Sequence, residues 1–472
     1  MKKAKQEVLS WLDQNRSPLK EMARDIWENP EVGLKEEYAA DLQASKLSSE
    51  GFSIRSGIGG MDTAFVAEYG EADPVIGILG EYDALPGLSQ KVKPQREPLA
   101  DGRPGHGCGH NLLGTAGVGA VLGIKNRIEN GELEGTVRYY GCPAEETLVG
   151  KVFMARDGVF DDLDGCLTWH PGDVNATWNA SSLGMNSVRF TFKGASAHAA
   201  ASPEQGRSAL DAVELMNVGT EYMREHISDK ARVHYSIPEG GHEPNIVPDK
   251  AVAWYYVRAP EREEVDFIYE WLCDIAEAAA AMTRVEMEER FLSGCYPTLS
   301  NRVLADRLLE NMVQLGGPGF EEADLDFARQ IEETFEESQK RKLKESNLPE
   351  EVTDLTLHQE VIEEHYDLGE VSFGSTDVGD VSRIVPLAQF TAATQPLGTA
   401  GHSWQATASS GSEIGLKGMF FAAQTLATTM VDLYTESQLI ADAREEFEEE
   451  MGSKSYAPPL PEGVQPPYDQ LD

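Results

Sequence analysis

Residues 105–114 read GHGCGHNLLG. The segment sets Cys108 and His110 two residues apart among Gly105, Gly107 and Gly109, then runs into a small-residue apolar stretch at 112–124. Glycine admits turn conformations that other residues resist. A thiolate and an imidazole held on such a turn are suited to zinc or another first-row divalent metal. A Cys-x-His pair alone is better explained by a buried structural cysteine beside a surface histidine, because a metal site needs further ligands. Those have to come from elsewhere in the chain.

The flanking segments supply them. Residues 75–79, VIGIL, read as a buried strand that ends at 80–87, GEYDALPG, so Glu81 and Asp83 stand at its carboxyl end. Residues 136–140 read as a second strand running into GCPAEE at 141–146, and 165–168 as a third leading to Trp169, His170 and Pro171. Open α/β sheets place their ligands at the carboxyl ends of strands. Asp83, Cys108, His110, Glu145, Glu146 and His170 therefore gather as candidates around one cleft, with His402 of GTAGHSW (398–404) as a distant addition. A pair of metal ions needs one bridging ligand and several terminal ones. Cysteine, histidines and one glutamate fill those places and leave a glutamate to activate water. Singly, a glutamate pair reads as a solvated loop and a histidine as a hydrogen-bonded structural residue. The ordered combination is what points to a metal centre.

The rest of the chain gives the frame. Leu19, Met22, Ala23, Ile26 and Trp27 recur at helical spacing, and a further helix is expected at 36–47. The texture changes near residue 184. Strand-like 187–192, helical 204–223, strand-like 251–257, helical 263–281 and strand-like 284–290 suggest a compact β-α-β-α-β unit inserted in the chain. A helix is expected at 299–315. Residues 321–367 read as a charged, partly helical surface insertion, and 371–380, 385–391 and 411–434 as closing strands and helix. The fold class expected is α/β: a discontinuous catalytic domain (1–184 and 296–440) with a mixed sheet flanked by helices, plus a smaller inserted α/β dimerisation or lid domain at 185–295. The acidic, proline-rich tail, 441–472, is expected to be mobile or draped on the surface.

Composition narrows the function. With 472 residues, two or three domains are expected. No run of about 18 apolar residues appears, and no apolar segment follows the first lysines as a secretory signal requires. Five widely spaced cysteines do not make a disulfide scaffold. A cytoplasmic protein is expected. Eighty acids against forty bases give a net charge of −40, which speaks against nucleic-acid and anionic-membrane partners. A salt-rich cytoplasm, where screening relieves the self-repulsion, would account for it.

The motifs GEYDALPGLSQ (80–90), GHGCGHNLLGTAG (105–117), PAEET (143–147), KGASAHAAASPEQGRSALDAVELMN (193–217), EPNIVPDKA (243–251) and GHSW (401–404) together resemble the co-catalytic metallopeptidases of the aminoacylase/carboxypeptidase group. Within them the chain is most similar to amidohydrolases of N-acyl amino acids. The resemblance implies two divalent ions per subunit, manganese or zinc, bridged by Cys108 and held also by His110, His170, Glu146 and His402. It implies Glu145 as general base and Asp83 as the acid that orients a ligand. His198, in the inserted domain, would stabilise the oxyanion, often in the neighbouring subunit's site. Asn245 and Arg258 would hold the substrate's carbonyl and carboxylate. At Glu81 the broader group carries a ligand histidine, and the role of the glutamate is left open. The implied reaction is amide hydrolysis of an acyl or aroyl amino acid, with p-aminobenzoyl-glutamate the leading substrate and other N-acyl amino acids or dipeptides as alternatives. A homodimer is expected, with a homologous partner subunit as a variant. A non-catalytic partner subunit is the competing reading of another class.

Overall fold

The computed structural model describes residues 2–470. Eleven strands fall into two sheets among the described residues: β1 (Ser53–Ser56), β2 (Phe65–Tyr69), β3 (Val75–Glu81), β4 (Thr136–Cys142), β5 (Gly165–Gly172), β6 (Ala176–Trp178), β7 (Gly184–Lys193), β8 (Arg232–Glu239), β9 (Lys250–Ala259), β10 (Glu286–Cys295) and β11 (Leu387–Ala393). The larger sheet has the order β1-β2-β4-β3-β5-β11-β6. Its four central strands run parallel, while β1, β2 and β6 are antiparallel additions, so the sheet is mixed as expected. Parallel strands share one carboxyl edge, and that edge carries the end of β3, the turn after β4 and His170 on β5.

The central strands read as continuous apolar runs because both faces are covered. On one face the helices His110–Glu129 and Glu413–Thr435 pack together, backed by Lys3–Gln14 and Arg16–Glu28. Small residues let His110–Glu129 lie close to the sheet: a Cβ at Gly117 would stand 2.9 Å from the Tyr139 ring. The other face is covered by Gly150–Arg156, the short helix Val378–Val381 and part of the C-terminal tail.

The smaller sheet, β10-β7-β9-β8, is antiparallel throughout. Its core lies against the helices Ala209–Met223 and Arg262–Thr283. The unit is therefore β-α-β-β-α-β, with one strand more than the sequence suggests. The extra strand, β8, is an edge strand whose residues 234–238 are exposed on both faces, so it has no apolar alternation to read. A second correction concerns 371–380. That segment is not a strand: Val371 makes one isolated bridge to Ser181, and the chain then turns into Val378–Val381. Its polar groups are tied across the fold instead, through Asp377 to Lys151 and through Asp380 to Tyr296.

The insertion at 321–367 is helical in three pieces, Glu322–Glu332, Glu337–Lys344 and Glu350–Thr353. The first two open with side chains that cap their own first turn. The tail begins as the helix Ser437–Met451 and then drapes over both sheets' units; residues 471 and 472 lie outside the described residues. Lys454 pairs with Glu263, the Tyr456 hydroxyl donates to Asp380, Arg156 donates to the Val464 carbonyl, and Asp469 pairs with Arg290.

Candidate metal centre

The turn before His110–Glu129 does what its glycines suggest. Gly109 sits at φ 77°, and a Cβ there would stand 2.8 Å from Pro171. Only glycine combines that left-handed backbone with that close approach. The turn aims Cys108 and His110 at the carboxyl edge of the parallel strands. Asp83, just beyond β3, binds both neighbours: the His110 Nδ1–H donates to its Oδ1 at 2.8 Å, and the Glu146 backbone N–H to its Oδ2 at 3.0 Å. After β4 the chain reverses at Ala144 (φ 54°), whose N–H donates to buried Glu36 at 2.7 Å. That reversal turns Glu145 and Glu146 inward. The His170 Nδ1–H donates to the Pro171 carbonyl at 2.8 Å, leaving Nε2 to face the Cys108 sulfur at 3.4 Å. His402, also at positive φ (54°), brings Nε2 to 3.2 Å from Glu146 Oε2.

The donor atoms form two groups that share one sulfur. Cys108, His110 and His170 lie within 4.8 Å of one another, and so do Cys108, Glu146 and His402. A third group joins Glu81, His110 and Glu145. Ligand bonds of about 2.0–2.3 Å put adjacent donors on one ion roughly 3 Å apart, and the Cys108–His170 pair at 3.4 Å and the Glu146–His402 pair at 3.2 Å are close to that spacing. His110 Nε2, Glu81 Oε2 and Glu146 Oε1 are buried and have no hydrogen-bond partner. Backing partners on Nδ1 of His110 and His170 are what metal-binding histidines need to present Nε2. The residues therefore fit a pair of divalent ions bridged by a thiolate.

The electrostatics agree. Burial pushes the Glu145 carboxyl well up, and the charge of Glu81 pushes it further. Burial also raises Glu146 to about 7 and the Cys108 thiol to about 12. Burial lowers His170 to about 4. His110 is driven upward against burial by Cys108 and Asp83. Acids crowded together out of water hold protons, and a divalent cation displaces them.

Cys108, Glu145, Glu146, His170 and His402 line one end of a cleft of about 270 Å³, with His110 behind them. The far end is built by the smaller sheet. Alternation along β9 puts Tyr256 and Arg258 on the face away from the helices, and both line the cleft with Met185, Trp178 and Leu148. The Arg258 Nε is buried without a hydrogen-bond partner.

Eight of the residues singled out in the sequence thus meet at one place: Asp83, Cys108, His110, Glu145, Glu146, His170 and His402 at the donor end, with Arg258 opposite. His198 and Asn245 do not line this cleft. They are exposed on adjoining segments of the inserted unit, where the Ala199 N–H donates to the Asn245 carbonyl at 2.9 Å. The sequence reading missed Lys151 and Asp377. Lys151 is fully buried and reaches Glu81 at 2.7 Å and Asp377 at 2.6 Å. A lysine amid the buried run 150–155 is the one signal that pointed to it.

The chain is 39% identical to one of the subunits of the p-aminobenzoyl-glutamate hydrolase of Escherichia coli, over 98% of this chain and 99% of that protein. The chain belongs to the M20 family of metal-dependent peptidases and amidohydrolases. Residues 181–283 match the peptidase dimerisation domain of that family, which covers most of the inserted unit. A more distant M20 relative, an Xaa-Arg dipeptidase of Mus musculus, is 28% identical over 94% of this chain and 92% of its own. The fold matches the crystal structure of an aminobenzoyl-glutamate utilization protein from Klebsiella pneumoniae, with a TM-score of 0.61 at 18% identity, covering 90% of this chain and 98% of that one. The chain is thus an M20 amidohydrolase, and among its described residues no helix is long and apolar enough to cross a membrane.

Proposed function

We propose that this M20 amidohydrolase cleaves the amide bond of aroyl or acyl amino acids, p-aminobenzoyl-glutamate foremost, releasing p-aminobenzoate and glutamate. One observation carries the reading: one cleft is lined both by the donor clusters with buried Glu145 and by Arg258, whose buried Nε has no hydrogen-bond partner. A planar guanidinium suits a carboxylate, and the apolar wall of Leu148, Met185, Trp178 and Tyr256 suits an aromatic ring. The full-length similarity to the p-aminobenzoyl-glutamate hydrolase of Escherichia coli supports the choice of substrate.

Cys108 would bridge two ions, with His110 and His170 on one side and Glu146 and His402 on the other. Sulfur, nitrogen and oxygen donors together suit manganese or zinc. Bound there, divalent ions supply Lewis acidity that eases ionisation of water and polarises a carbonyl. Glu145 would take the attacking water's proton and pass it to the leaving nitrogen. Asp83 fixes the His110 ring through Nδ1 and the Glu146 backbone through its other oxygen. The substrate's glutamate carboxylate would lie on Arg258.

The active form would be a homodimer. Val218 and Tyr222 on one helix of the inserted unit, and Tyr235 and Ile237 on edge strand β8, are exposed apolar side chains on a matched dimerisation domain. The partner subunit's His198 would then stabilise the oxyanion, with Asn245 beside it. All five cysteines are unpaired, and the charge is −40, in keeping with a reducing, salt-rich cytoplasm.

The test is metal content with activity. Chelator-stripped protein reloaded with manganese or zinc should release p-aminobenzoate from p-aminobenzoyl-glutamate faster than it cleaves N-acyl amino acids or dipeptides. Glu145→Ala should lose roughly 10²–10⁴-fold in kcat while keeping its metal. Metal-loaded wild-type protein that turns over no amide in the panel would defeat the proposal and favour a non-catalytic partner subunit.

A further inference from the structure

We propose that Thr168 and Gln389, flanked by Trp178, form the subsite that recognises the far end of the substrate's acyl ring, and that the group they take is a neutral hydrogen-bond donor such as the para-amino group of an aminobenzoyl amide. The inference deepens the proposed function and rests on it.

Gln389 is an unexpected residue where it stands. β11 is an inner strand of the larger sheet, and strands covered on both faces are ordinarily apolar throughout. Gln389 is 4% exposed, and its side chain has no hydrogen-bond partner among the described residues. Its register neighbours are Thr168 on β5 and Trp178 on β6. Residues paired directly across strands present their side chains on one face, so the three form a row. Thr168 is 1% exposed, and its Oγ1 is buried without a partner. All three residues line the cleft. So does Ser375, in the turn before Val378–Val381, whose Oγ is equally unpartnered. Buried polar groups are costly to leave unpaired. Several of them along one cleft are places kept for a ligand.

The row lies at a defined depth. Thr168 stands two residues before His170 on β5, a rise of roughly 6.6 Å along the strand. The Trp178 ring meets the His170 ring edge-on, with centroids 5.9 Å apart, so the indole reaches from the row towards the donor end. A benzoyl carbonyl at the donor end and a para substituent at the row are separated by one benzene ring and its two bonds, a length close to that rise. The ring between them lies beside the Trp178 indole, a natural neighbour for an aromatic face.

The chemistry of the row selects the substituent. Hydroxyl and amide oxygens are neutral acceptors. Asp377, next along the turn from Ser375 and Thr376, is engaged with Lys151, accepting from its ammonium at 2.6 Å and from its backbone N–H at 2.8 Å. A neutral arylamine, with two N–H donors and its lone pair drawn into the ring, finds acceptors there. The ammonium of an unblocked dipeptide brings a charge that no group in the row answers. A plain benzoyl or alkyl end leaves the polar groups unpaired. The row thus favours aminobenzoyl amides over dipeptides and over simple acyl amino acids.

The experiment compares two amides of glutamate that differ at one point, 4-aminobenzoyl-glutamate and 4-methylbenzoyl-glutamate, on the full-length, metal-loaded protein. Values of kcat/KM are measured for wild type, Gln389→Met and Thr168→Val. Calorimetric binding of both amides to Glu145→Ala, with and without Gln389→Met, reads the same preference without turnover. Wild type should prefer the amino compound by at least roughly 10-fold. Both substitutions should draw that ratio towards one, chiefly by weakening the amino compound, and KM should carry more of the change than kcat. A merely structural role would affect the two amides alike and leave the ratio standing. Should Gln389→Met lose its fold, as judged by circular dichroism, Thr168→Val carries the test, since it exchanges a hydroxyl for a methyl of similar shape. A wild-type ratio near one would overturn the inference alone. So would a wild-type ratio retained in Gln389→Met, or in Thr168→Val where that variant carries the test. A wild type that cleaves neither amide would overturn it together with the proposed function.

Discussion

Asp380 shows how a single buried acid makes the fold sensitive to pH. Its Oδ2 accepts from the Tyr296 backbone N–H at 3.1 Å and its Oδ1 from the Tyr456 hydroxyl at 3.0 Å. Burial outweighs both bonds and raises the carboxyl to about 8. The unfolded chain titrates the same group near about 4. Between those values the folded state holds a proton that the unfolded state has lost. Stability from this group is therefore full below about pH 4 and is lost as pH rises towards about 8. In metal-free protein, Asp380→Asn should flatten the fall of the thermal midpoint across that range. Glu36, raised to about 8 by burial and by the charge of Asp83, titrates in the same sense, so the slope is reduced and not abolished. An unchanged slope in Asp380→Asn would remove Asp380 from the account.

At the scale of elements, the metal turn was legible because its signals are local. Glycines beside Cys108 and His110 announce a turn, and apolar runs ending in acids announce strand ends. The parallel order of β3, β4, β5 and β11 then gathers those ends. What escaped depends on distant partners. Lys151 meets Asp377 across 226 residues, and nothing near either residue names the other. Strand β8 escaped because an exposed edge carries no alternation, and 371–380 misled because its valines lie beside a polar turn whose partners are on other elements. The helix expected from 204 starts at Ala209, where the Ser208 hydroxyl caps the Asp211 N–H. Gly109 gives the turn a direct test. Alanine there meets both the left-handed backbone, at about 1–2 kcal/mol, and Pro171, beside His170. Gly109→Ala should lower the thermal midpoint, and lower it more with metal bound than without, because the strain falls on Cys108, His110 and His170 together. Equal losses in the two states would mean that the turn serves the fold only.

At the scale of the whole molecule, the cleft is assembled from two sheets that the tail ties together. Lys454 and Asp469 hold the inserted unit through Glu263 and Arg290, while Tyr456 and the Val464 carbonyl hold the larger unit through Asp380 and Arg156. Arg258 thereby keeps a fixed place opposite the donor clusters. His198 belongs to the same inserted unit, yet it is exposed and lines no part of this chain's cleft. If it acts on the reaction, it acts in a second copy. That geometry predicts complementation. Glu145→Ala and His198→Ala homodimers should each be nearly inactive, the first lacking the proposed base and the second the proposed oxyanion donor. Co-expressed, they form mixed dimers in which one site has intact Glu145 and receives intact His198 from its neighbour. Random pairing makes half of the dimers mixed, with one working site in two, so about a quarter of wild-type kcat should return. A His198 that served its own chain would leave every site in the mixture lacking one group, and no activity would return.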